Sequence, residues 1–185
     1  MQYQATRFSF LLLAFLFLFS STTNAQVYNT EKGTAEFTSS VPLHTFTGTS
    51  DKLIGQINLA ESTIDFYVDV NSLKTGNKKR DKDMRITLES KEFPFAEFFG
   101  KLTSPFDPAK TEKQPVVVKG KFTIHGVSQE VEVEGTLQST PKGLHVEANW
   151  NLNLKDYNIV PPSLLIVKVD EVQKIRIDAL LAPAK

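Results

Sequence analysis

The 185 residues contain no cysteine, an absence that excludes thiolate nucleophiles, Cys-ligated metals and disulfide staples together. An excess of one charge is missing too. With 21 Lys and Arg against 21 Asp and Glu, no overall field draws the chain to phosphate backbones or anionic membranes, and no nucleic-acid partner is expected. The short basic cluster Lys78-Lys79-Arg80 runs straight into Asp81 and Asp83 and reads as the solvated start of a helix. Histidine is scarce: His44, His125 and His145 are expected in a loop, a hairpin turn and an outward strand position. They lack the i, i+4 pairing and the H-E-x-x-H spacing of metal sites, so neither metal nor cofactor is expected. No G-x-S-x-G elbow occurs and the carboxylates form no evident acid/base pair, so the chain reads as a non-enzymatic protein.

Long hydrophobic runs are equally rare. The longest, Phe8 to Phe19, covers 12 residues, well short of the roughly 20 that span a bilayer as a helix. Arg7 precedes it and Ser20-Ser21-Thr22-Thr23-Asn24-Ala25 follows, the layout of a secretory signal peptide with cleavage expected after Ala25. Residues 1–25 are therefore expected to direct export to the periplasm or beyond. Residues 26–185 would then form one domain without a transmembrane segment, large enough to bury a core unaided.

What the rest of the chain does have is alternation. Apolar residues recur with period two in Ala35, Phe37 and Val41, in Leu53 to Leu59, in Ile64 to Val70, and in Ala96 to Leu102. The pattern continues through Val116 to Ile124, Val131 to Leu137, Leu144 to Leu154, and Ile175 to Leu181. Each run predicts a strand with one buried face. Ile124-His125-Gly126-Val127 and Thr140-Pro141-Lys142-Gly143 read as hairpin turns. Between Asn71 and Glu92 the period changes: after the turn Thr75-Gly76-Asn77, Lys79 to Glu89 predicts a short helix with Met84 and Leu88 spaced by four. Ile159 to Val167, with Pro161-Pro162 and then Leu164 to Val167, predicts a short strand or a loop folded over an opening.

About eight one-faced strands and one small helix have two good solutions, a sandwich or a closed barrel, and the favoured expectation is an all-β, antiparallel eight-stranded barrel with the helix at one end. Such a barrel is either filled by side chains or just wide enough for one small apolar ligand. Small residues at inward positions, among them Ala35, Gly55, Gly100, Gly120, Gly135 and Ala148, fit a hollow interior, and fit close packing or strand bends as well. If the interior is hollow, the candidate ligand-binding residues are Phe66, Val68, Phe98, Phe122, Trp150, Leu152, Ile175 and Ile177 on the strands, with Arg80 and Met84 on the helix. Two roles are open to Arg80. It ties the helix to the barrel rim by an ion pair beside a packed Met84, or it meets an anionic head group while apolar tails enter the barrel.

The order of motifs resembles the YceI-like family of exported bacterial proteins. The resemblance rests on Ser72-Leu73-Lys74-Thr75-Gly76-Asn77 leading to Arg80-Asp81-x-x-Met84, then Phe93-Pro94-x-Ala96-x-Phe98, Gly120-x-Phe122-Thr123-Ile124-His125-Gly126-Val127, Asp156-Tyr157-Asn158-Ile159, and a closing Asp170-Glu171-Val172. It implies an extended lipocalin-like barrel holding a polyisoprenoid, isoprenoid quinone or related long-chain lipid, and no enzymatic activity. The chain departs from the family pattern at Asn158, where a glycine often follows the aromatic, and at Leu154, where an arginine often stands.

Overall fold

The computed structural model describes residues 27–41, 44–161 and 170–184. Eight strands follow one another: β1 (Val27–Val41), β2 (His44–Asn58), β3 (Thr63–Asp69), β4 (Phe95–Leu102), β5 (Gln114–Ile124), β6 (Val127–Thr140), β7 (Gly143–Asn153) and β8 (Val172–Pro183). Helix α1 (Lys78–Thr87) lies between β3 and β4. Each strand pairs antiparallel with the next, and β8 returns to pair with β1, so the sheet closes into an up-and-down barrel without a free edge. The expected fold class is what the structure shows.

Period-two patterning decides which face is inside. In β3, Ile64, Phe66 and Val68 are buried while Asp65 and Tyr67 face out; β4 repeats the arrangement with Ala96, Phe98 and Gly100. Outward Lys119 and Lys121 of β5 lie opposite Glu132 and Glu130 of β6 and pair with them at 2.8 and 3.7 Å, contacts that tidy a wet surface more than they stabilise it.

Two strands are longer than the alternation predicts. β1 starts at Val27 rather than near Thr34, because its register against β2 shifts between Thr30 and Ala35 and scrambles the pattern there. β2 starts at His44 rather than at Leu53, so His44 is a strand residue and not a loop residue. Its first half, His44-Thr45-Phe46-Thr47-Gly48-Thr49-Ser50, alternates Phe, Gly and Ser inward and therefore carries almost no hydropathy signal. α1 spans Lys78–Thr87 instead of Lys79 to Glu89; Asn77 caps it by accepting from the Lys79 and Arg80 amides at 3.0 and 3.1 Å. Leu154, expected on β7, belongs to a 3-10 turn that runs to Tyr157. The segments 1–25 and Leu164 to Val167 lie outside the described residues.

His125 and Gly126, between β5 and β6, both have positive φ, 54° and 71°, the conformation a two-residue hairpin needs to match strand twist. Asn158 has φ 56° and ψ 24°. Asparagine is the residue after glycine that best tolerates this left-handed region, so Asn158 suits the turn it occupies.

The up-and-down order sorts the connections to two ends. The β1–β2, β3–β4, β5–β6 and β7–β8 connections, with α1, lie at one end; β2–β3, β4–β5 and β6–β7 lie at the other. Near the second end Ile57, Leu144 and Leu181 have at most 1% of their surface exposed and, with Leu137, fill the barrel as a packed core.

Candidate ligand cavity

The space between that packed end and α1 is not filled. A cavity of about 500 Å³ runs up the barrel, within the roughly 300–1,000 Å³ range of small-molecule sites. Its wall is built by cross-strand neighbours. Phe66, Phe98 and Phe122 sit opposite one another on β3, β4 and β5, and Phe37, Ile175 and Trp150 do so on β1, β8 and β7. Phe122 joins the two groups through an edge-to-face contact with Trp150, ring centroids 5.7 Å apart. Val68, Leu152 and Ile177 complete the same wall, and Arg80 and Met84 reach it from α1. All ten residues singled out in the sequence thus border one cavity.

The small inward residues have a more specific use than lowering the filling. A Cβ on Gly55 would overlap the ring of Phe66, its partner on β3, so the missing side chain lets the ring lie flat against the wall. Gly48 does the same for Phe37. Ala35, Ala96, Gly135 and Ala148 border the cavity as well, so rings laid on glycines and small wall residues together leave the space open.

α1 closes one side of the mouth and is held by polar contacts that leave the cavity itself apolar. Asp81, buried, accepts from the Thr75 amide and hydroxyl at 2.8 and 2.6 Å; these bonds hold its carboxyl below the usual carboxylate range. Thr49 and Lys74 exchange backbone bonds of 2.9 Å, fastening the segment before α1 to β2. The expected ion pair from Arg80 does not form: among the described residues its guanidinium has no carboxylate partner. It rests instead 4.2 Å over the Phe46 ring, and Phe46 in turn meets Phe37 edge-on at 6.1 Å.

At the same end of the barrel as α1, His125 joins three connections. Its Nδ1 donates to the Tyr157 carbonyl at 3.1 Å, its ring meets Phe93 edge-on at 5.5 Å, and its Nε2 lies 3.5 Å from Glu89. Tyr157 is buried against Phe122, and that burial pushes its phenol above the ordinary range.

Several cavity residues escaped the sequence reading. Phe46 lies in the half-strand that looks like a loop, Leu73, Leu88 and Ile159 belong to connections, where period two carries no information, and Gln173 is a polar inward residue at the start of β8 that hydropathy passes over. On the outer wall, His145, Glu147 and Asp178 gather within 4.8 Å of one another, a cluster that i, i+4 spacing could not reveal because it crosses from β7 to β8. Lys113 pairs with Glu147 and holds its carboxyl below the usual range, and Arg176 and His145 pair with Asp178 at 3.1 and 3.0 Å. With cations on both carboxylates, the cluster is an ion-pair network rather than an open ligand set.

Residues 26–181 match the YceI-like domain family. A UPF0312 protein of Yersinia enterocolitica is 32% identical over 108 residues, covering 55% of this chain and 54% of its own length. A second UPF0312 protein, from Enterobacter sp., is 29% identical over 130 residues, 63% of this chain and 66% of its own. The chain therefore spans about half to two thirds of these curated relatives. Among solved structures, a polyisoprenoid-binding domain from Saccharophagus degradans superposes with a TM-score of 0.72 at 19% identity, covering 87% of this chain and all of that one. BcnA of Burkholderia cenocepacia follows with 0.67 at 18%, over 81% and 96%. At these identities the structural likeness establishes the fold.

Proposed function

Because the chain belongs to the YceI-like family, we propose that it is a non-enzymatic carrier which holds a long apolar molecule, a polyisoprenoid, isoprenoid quinone or related lipid, inside its barrel. The observation that carries this reading is the cavity of about 500 Å³, walled by Phe66, Phe98, Phe122, Trp150 and the aliphatic residues between them. Burial in such a space contributes roughly 0.8 kcal/mol per methylene, so an isoprenoid segment of ten carbons gains enough to offset the entropy of its ordering. The polyisoprenoid-binding domain that shares the fold supports the choice of ligand class. No helix among the described residues is long and apolar enough to cross a membrane. With residues 1–25 removed on export, the protein works in the aqueous envelope, where an apolar chain needs a container.

Native mass spectrometry and organic extraction of protein purified from its own envelope test the reading. A stoichiometric lipid in the mass range of isoprenoids is expected. A lipid-free preparation that also takes up neither quinones nor polyprenols in vitro would overturn it.

A further inference from the structure

We propose that the carried molecule is an anionic amphiphile, a long chain ending in a carboxylate or phosphate, whose oxyanion is held at the cavity mouth by Arg80. This rests on the carrier reading above and narrows it to one ligand class.

The charged residues that border the cavity are Glu36, Lys79, Arg80, Asp83 and Glu147. Three are paired, and a fourth points outward. Lys79 and Asp83 pair with each other along α1 at 3.3 Å; Glu147 pairs with Lys113 outside the barrel; Glu36 takes an outward position between Ala35 and Phe37, across from Arg176 on β8. Asp81, the other carboxylate on α1, accepts both Thr75 bonds through Oδ1 and makes no ion pair with Arg80. Arg80 remains, half-buried, with no carboxylate partner among the described residues.

Its placement is what makes the charge usable. A guanidinium bordering an apolar space would ordinarily turn to water or to a carboxylate; here one face lies on Phe46, which steadies it electrostatically while leaving its in-plane N–H donors free. Those donors form the planar fork that suits a carboxylate or phosphate. The α1 backbone does not compete for the role, since Asn77 already takes the Lys79 and Arg80 amides. An alkyl or isoprenoid chain entering the aromatic wall would carry its terminal group past this fork. A neutral alcohol can accept one bond there, whereas an oxyanion can accept two and neutralise the charge.

Three probes with one C20 chain and different ends separate the possibilities: geranylgeraniol, geranylgeranoic acid and geranylgeranyl phosphate. Binding to the delipidated full chain is read from the fluorescence of its single tryptophan, Trp150, which borders the cavity. Both anions are expected to bind at least tenfold more tightly than the alcohol; whichever is tighter identifies carboxylate or phosphate as the natural end. R80Q should bring the anions to within about twofold of the alcohol measured on the same variant, with saturable alcohol binding showing that the cavity is intact, and R80K should retain most of the preference. Equal binding of all three probes, or an anion preference that survives R80Q, overturns this inference and leaves the carrier reading standing. Failure of all three to bind removes both.

Discussion

Leu181 and Ile177 lie on one strand, face inward and lose the same three carbons on mutation to alanine, yet the barrel predicts different costs for them. Leu181 is wholly buried at the packed end, opposite Leu144 and away from the cavity. Its truncation removes about 2.4 kcal/mol of transfer free energy at roughly 0.8 per carbon. A residual void on the order of 50 Å³ adds about 1.2 at 24 cal/mol per Å³, so Leu181→Ala should cost about 3.5 kcal/mol. Ile177 projects between Ala35 and Ala148 into the cavity. One side of its side chain already lacks packing partners, so about half of the transfer term is lost, and a few tenths of a kcal/mol follow from replacing a β-branched residue on a strand. Truncation enlarges an existing space instead of opening a new one. Ile177→Ala should therefore cost about 1.5 kcal/mol, roughly 2 less than its neighbour.

Urea unfolding of the delipidated protein measures both, provided the m-value is unchanged. In thermal melts a gap of about 2 kcal/mol corresponds to roughly 4–8 °C for a domain of this size. A bound ligand should then raise the cost of Ile177→Ala, because the side chain gains contacts it lacks in the free barrel, and leave Leu181→Ala unchanged. Equal costs within about 0.5 kcal/mol would mean that the barrel is packed along its whole length, and the cavity argument would fail with them.

Other perturbations test the walls and the mouth. Asp81→Asn removes a charge that accepts two bonds from Thr75 and should cost about 1–3 kcal/mol near neutral pH. Because the folded carboxyl lies below its ordinary value, its contribution is present above the unfolded pKa of about 3.9 and lost as pH falls through the folded one; the mutant's unfolding midpoint should accordingly be less sensitive to acid below about pH 4. Gly55→Ala puts a methyl group into the Phe66 ring and should destabilise by about 1–3 kcal/mol, with Phe66→Leu recovering part of the loss in a double-mutant cycle; simple additivity would mean that the ring does not lie on the glycine. His125→Asn keeps a residue suited to positive φ but gives up the bond to the Tyr157 carbonyl, so about 1 kcal/mol is expected, and His125→Ala, which adds backbone strain, should cost about 1 kcal/mol more. Chemical denaturation that ranks the two His125 variants alike would remove the role of the turn.

How much of this was legible beforehand depends on what each residue's neighbours are. The strands β3 to β8 announce themselves because one face packs and the other is wet, and period two records that difference directly. The first half of β2 stays silent because its inward residues are Phe46, Gly48 and Ser50, chosen to accommodate the Phe37 ring and α1 rather than to be apolar. The same locality explains the ligand candidates. Inward alternation finds Phe66, Phe98, Phe122 and Trp150, since facing the interior is a property of one strand. It cannot find Phe46 as the seat of Arg80, nor separate the hollow part of the barrel from the part that Ile57, Leu144 and Leu181 fill, because both depend on residues far apart in the chain.

That limit decides how Arg80 is read. In the sequence, Arg80 beside Asp81 and Met84 on a short helix is open to two roles, an ion pair that ties the helix to the rim or a contact with an anionic head group. In the fold Asp81 is turned to Thr75 and Arg80 to Phe46, so the adjacent charges have different tasks. One carboxylate is spent inside the helix connection, where desolvation is repaid by two hydrogen bonds. The guanidinium is kept at the cavity mouth with an aromatic face in place of a counter-ion. Were Arg80 only a structural clamp, a carboxylate on β1 or β2 would satisfy it better than Phe46 does, since a hydrogen-bonded ion pair exceeds an exposed cation–π contact of about 0.5–1 kcal/mol. An aromatic seat holds the cation in place without neutralising it, and a cation left un-neutralised beside an apolar cavity is the arrangement that favours a ligand bringing its own negative charge.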